Sequence, residues 1–135
     1  MKREIKFRGK DFLGRWHYGH LHLATGSSSL MIQVDSFDSF GVLPETVGQF
    51  TGLFDKNGKE VYEGDKVRIA ETENHVEIIA VIGFNDGKFT ANSIMTGVSF
   101  SLDYVFRERQ SGCLSGEVIG NIHETLSCWK EVRNE

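Results

Sequence analysis

Short runs in which apolar and polar residues alternate, each closed by a turn, recur along this chain and constrain its fold more than any other feature. Ile5 and Phe7 alternate with charged side chains over residues 4–8, and the same period of two runs through residues 16–23, 76–84 and 99–106. A strand sends successive side chains to opposite faces, so this period marks sheets with a buried face. Composition agrees, with fifteen glycines against one proline and ten phenylalanines in 135 residues. Glycine serves the positive-φ turns between short strands, and phenylalanine fills half-buried pleats. The expected fold is all-β, with any helix confined to a short turn or the C-terminal tail.

The pattern divides in two. Residues 1–48 read as an antiparallel β meander, with strands at 4–8, 16–23 and 30–34 and a polar loop at 36–41 that carries Phe37 and Phe40. Residues 49–135 form the second region. There Asn57-Gly58, set between apolar runs, is a hairpin signal, and Glu63-Gly64-Asp65 and Asn85-Asp86-Gly87 are further turns. Five short strands from Lys66 onward suggest a small barrel. Its expected core is Val67, Ile69, Ile78, Ile82, Phe89, Phe100 and Ile122, although residues 76–84 are apolar on both faces. Residues 125–135 read as a short helix or a closing strand.

The net charge is −4, which argues against a general nucleic-acid coat. The charge is uneven. Lys2, Arg3, Lys6, Arg8, Lys10 and Arg15 against Glu4 and Asp11 make residues 1–20 locally +4 and leave −8 for the rest. Arg3, Lys6, Arg8, Lys10 and Arg15, interleaved with Phe7, Phe12, Trp16 and Tyr18, are therefore the candidates for meeting an anionic partner. Alternation sets Lys6 and Arg8 opposite Ile5 and Phe7, so both are expected to face solvent. Cys113 and Cys128 lie in no Cys-x-x-Cys and beside no convincing base, which reads as reduced thiols in a cytoplasmic protein. No apolar segment has signal-peptide or membrane-spanning character.

Catalytic and metal motifs fare poorly. Aligning Gly58 with the invariant glycine of a calcium loop puts Leu53 and Gly64 where oxygen donors are needed. There is no G-x-S-x-G elbow, P-loop or G-x-G-x-x-G. His20 and His22 share a strand face and can reach one metal ion, and Gly14 followed after five residues by His-x-His copies the start of a cupin motif, but neither a third ligand nor the second motif follows. Glu60, Glu63 and Asp65 lie close in sequence and can form an acidic patch, although turn usage explains them better. No cofactor is expected.

Three stretches carry a family resemblance. They are Arg3-Glu4-Ile5-Lys6-Phe7-Arg8, the long run from Gln49-Phe50-Thr51-Gly52 through Asp55-Lys56-Asn57-Gly58 to Tyr62-Glu63-Gly64-Asp65, and Glu117-Val118-Ile119-Gly120-Asn121-Ile122. Together they resemble the signature of the YopX family of phage- and prophage-encoded proteins. The chain departs from that pattern at Gly9-Lys10-Asp11, where the family often has Ala-Trp-Asp, and at His123-Glu124-Thr125. The resemblance implies a β-rich protein whose C-terminal part is similar to an SH3-like barrel. It implies no catalytic residues. The expectation is a non-catalytic binding or assembly module in the bacterial host cytoplasm, with an unknown protein partner. A nucleic-acid-binding regulator and a small metal-dependent enzyme using His20 and His22 are the alternatives. Homo-oligomerisation stays open.

Overall fold

The computed structural model of the chain describes residues 4–26, 29–71, 75–106 and 114–124. Arg3, Cys113, Cys128 and the segment 125–135 lie outside the described residues. Two compact units divide the chain, Met1–Gly52 and Leu53–Glu135.

The first unit carries β1 (Phe7–Lys10), β2 (Trp16–Leu23), β3 (Leu30–Gln33), β4 (Ser39–Gly41) and most of β5 (Gly48–Phe54). All pairings among them are antiparallel, and the order is β4-β3-β2-β1-β5. β1 starts three residues later than its alternation suggested, and β4 was read as loop. Phe40 pairs with Ile32 across that added hairpin, and Ile32 is fully buried. Gly9 carries no side chain because Val42 packs where a Cβ would stand, 2.9 Å away.

β5 runs into the second unit, where β6 (Glu60–Tyr62) follows. Next come β7 (Asp65–Glu71), β8 (Val76–Asn85), β9 (Lys88–Ser93), β10 (Ser99–Ser101), the helical turn α1 (Leu102–Phe106) and β11 (Leu114–Asn121). β7 to β11 make a second antiparallel sheet in the order β10-β9-β8-β7-β11. The last strand thus returns beside the first. Closing a barrel would need β10 to pair with β11, and among the described residues these edges stay apart. The sheet is not closed into the expected small barrel.

The physical reason lies in residues 102–106, which were expected to continue a strand. They coil instead, burying Leu102 and Val105 against the sheet. Phe106 packs where a Cβ on Gly116 would stand, so the turn is seated on β11. The core of this unit joins those two residues to Val61, Val67, Ile69, Ala80, Ile82 and Ala91. Ile78, Phe89 and Phe100 pack partly buried against it. Ile122 departs from expectation. It falls in a short 3₁₀ turn after β11 and is 43% exposed.

One turn is used twice. Asp11 and Asp55 each begin an Asp-x-x-Gly loop in which the Asp N–H donates to the carbonyl four residues on, at 2.9 and 2.8 Å. In each, Oδ1 accepts two amide hydrogens, from Leu13 and Arg15 in the first loop and from Asn57 and Lys59 in the second. Gly14 and Gly58 close the loops at φ +86° and +84°, a conformation that costs any residue with a Cβ. Asn57 is not among the positive-φ residues, so this is not the two-residue hairpin that Asn-Gly suggests. That hairpin occurs instead at Asp86-Gly87, where both residues take positive φ between the paired Asn85 and Lys88. Thr51-Gly52 lies inside β5.

Candidate functional site

Three basic residues of the N-terminal segment, Lys6, Arg8 and Lys10, share one sheet face. Lys10 pairs with Trp16 and Arg8 with Tyr18 across the β1–β2 ladder, and directly opposed residues share a face. Lys6 lies on that same face by period two, beside Phe50, whose N–H donates to the Lys6 carbonyl at 2.9 Å. Each cation sits over a ring. Lys6 Nζ is 5.3 Å from the Phe50 centroid, the Arg8 guanidinium carbon 4.8 Å and Lys10 Nζ 5.5 Å from the Trp16 ring. Such contacts hold cations at an apolar surface and strengthen when water is excluded.

The exposure of this face differs from expectation. Arg8 is only 6% exposed and Ile5 is 56% exposed, the reverse of the reading from alternation. β1 lies between β2 and β5 in the sheet, so a side chain at its centre is flanked on both sides. Arg8 is buried there with its guanidinium over the Trp16 ring. Ile5 precedes the strand and escapes the sheet. Lys6 keeps 21% of its side chain exposed and lies 3.7 Å from Glu4. Arg15 stands apart from the row, in the first Asp-x-x-Gly turn, with 64% of its side chain exposed and Nε 3.2 Å from Asp11 Oδ2.

Asp11 anchors a cluster that alternation could not reveal. His17 Nε2 donates to its Oδ2 at 2.8 Å, and the imidazole stacks on Phe40 with centroids 3.9 Å apart. The His17 hydrogen bond, joined by the Arg15 and Leu13 amides and the Arg15 side chain, holds the Asp11 carboxyl well below the usual carboxylate range against the opposing effect of burial. Phe40 reaches His17 only because β4 exists. Asp55 uses its spare oxygen in a parallel way, accepting the Val118 N–H at 2.9 Å. Each carboxylate gives Oδ1 to its own turn and Oδ2 to a residue of another strand.

His20 and His22 are exposed on β2. His22 Nδ1 lies 3.1 Å from the Leu23 carbonyl and Nε2 lies 3.3 Å from Ser39 Oγ. Among the described residues, no three of His, Cys, Asp and Glu come together. The acidic patch from Glu60, Glu63 and Asp65 does not form as such. Asp65 is 1% exposed and turned inward, where Oδ2 accepts the Tyr62 N–H at 2.7 Å. Glu60 accepts from the Tyr62 hydroxyl at 2.9 Å. Among the described residues, no helix is long and apolar enough to cross a membrane.

Fold and site together define an all-β protein of two antiparallel sheets with a row of ring-backed cations on its N-terminal sheet. The chain belongs to the YopX family: the family described as YopX protein matches residues 6–127. No curated protein matches the chain.

Proposed function

We propose that this protein is a non-catalytic binding module of phage or prophage origin, working in the bacterial cytoplasm, whose N-terminal sheet engages an acidic surface on a protein partner. One observation carries the reading. Lys6, Arg8 and Lys10 stand in a row on one sheet face, each over an aromatic ring, in a chain of net charge −4. Rings beneath the cations keep their stems ordered, which lowers the entropy lost when an anionic group docks. The second unit serves as scaffold in this reading. An SH3-like arrangement for it is supported by five short antiparallel strands of which the last returns beside the first.

The test is titration of the full chain with a labelled acidic peptide and a labelled mixed-sequence oligonucleotide at low and moderate salt. Peptide binding that weakens with salt and is lost in Lys6→Glu/Lys10→Glu supports the proposal. These positions are preferred over Arg8, whose replacement would disturb a buried site. Oligonucleotide binding with the same dependence would replace it with the nucleic-acid reading. No binding of either at low salt would sink both.

A further inference from the structure

The strand register brings a third soft donor to the histidine pair. We propose that His20, His22 and Met31 form a surface site for a soft monovalent metal ion, Cu(I) above all. His20 and His22 share a face of β2. In the β2–β3 ladder His22 stands directly opposite Met31, and His20 opposite Gln33. The same face continues onto β4, where Gln33 pairs with Ser39 and Met31 with Gly41. His22 Nε2 lies 3.3 Å from Ser39 Oγ, so its imidazole spans β3 and reaches β4. Met31 leans the same way, with Sδ 3.9 Å from where a Cβ on Gly41 would stand. Ser39 and Gly41 are two residues apart on one strand face. The imidazole nitrogen and the thioether sulfur therefore both lean over this face toward β4, to positions two residues apart, and the register sets His20 at the β2 end of the row that ends at Ser39.

The hydrogen bonds of His22 suit a ligand. Nδ1 faces the Leu23 carbonyl at 3.1 Å, which must accept, so Nδ1 carries the proton and Nε2 keeps its lone pair. Metal-ligating histidines hold their second nitrogen in this way. The Ser39 hydroxyl that donates to Nε2 belongs to an exposed residue and can turn aside. Two imidazoles and a thioether are a soft, low-charge set. A thioether favours Cu(I) and offers little to harder divalent ions. Geometry rather than sequence supplies Met31, eleven residues from His20 and nine from His22.

The experiment is anaerobic Cu(I) titration of full-length Cys113→Ser/Cys128→Ser protein against a chromophoric Cu(I) chelator, since free thiols would otherwise compete. One Cu(I) per chain is expected. His22→Ala and His20→Ala should each weaken it by about tenfold or more, the scale seen when even outer-shell partners of a metal are lost. Met31→Leu, which conserves volume, should weaken Cu(I) binding and leave any Zn(II) binding unchanged. Circular dichroism and melting of each variant should match the parent, because both histidines are exposed. Failure of the parent to compete with the chelator would overturn the site, as would undiminished Cu(I) affinity in His22→Ala. Equal Cu(I) affinity in Met31→Leu would also overturn it, removing the thioether that distinguishes this proposal from a bare histidine pair.

Discussion

Asp11 shows how one carboxylate organises its surroundings. Its Oδ1 holds two turn amides and its Oδ2 holds His17 and Arg15, all of which favour the ionised form. A carboxyl whose folded pKa is depressed contributes stability that is present above its ordinary value of 3.8 and is lost as the pH falls toward the folded value. Asp11→Asn should therefore narrow the gap to wild type in urea midpoint as the solution is acidified below pH 3.8. A gap that stays constant through that range would show that the ionised form is not what stabilises the turn. Asp35 is lowered too, by the Phe37 and Asp38 amides, and adds to acid sensitivity in the same direction. Sequence alone could name Asp11 as a turn residue. It could not pair it with His17, because that contact depends on β1 and β2 lying in register and on Phe40 covering the imidazole.

At the scale of elements, the twin Asp-x-x-Gly loops and the helical turn α1 separate what local chemistry dictates from what packing decides. Gly58→Ala should destabilise by about 1–2 kcal/mol, the cost of placing a Cβ at positive φ, whereas Asn57→Ala should cost much less because Asn57 needs no positive φ. Equal costs in urea titration would mean that the loop is the two-residue Asn-Gly hairpin after all. The turns at Gly58, Gly64 and Asp86-Gly87 were legible because positive φ selects residue types strongly. α1 was not. Residues 99–106 alternate well enough for a strand, and only the chance to bury Leu102 and Val105 against the sheet favours a coil. Replacing Ile82, 1% exposed, by Ala should cost about 2–5 kcal/mol. The same change at Ile122, 43% exposed, should stay within about half a kcal/mol. A large loss at Ile122 would return it to the core.

Over the whole molecule, a far-UV spectrum of β type with little helical signal is expected, and a helix-dominated one would contradict the two-sheet fold. The sequence by itself determined the all-β class, the YopX membership and the sites of most turns, because period-two alternation and positive φ are properties of a few neighbouring residues. It also located the basic cluster, since charge needs no fold to be counted. Only the tertiary structure decided how far each side chain along the N-terminal segment is covered. Arg8 is buried and Ile5 exposed because β1 lies between two strands and Trp16 waits across the ladder. It likewise decided that the second sheet stays open, because α1 occupies the chain between its edges, and that Met31 meets His22, because register is a relation between strands. Alternation reports that a strand has two different faces. Which face is covered, and by what, depends on groups far away in the chain, and no local pattern carries that information.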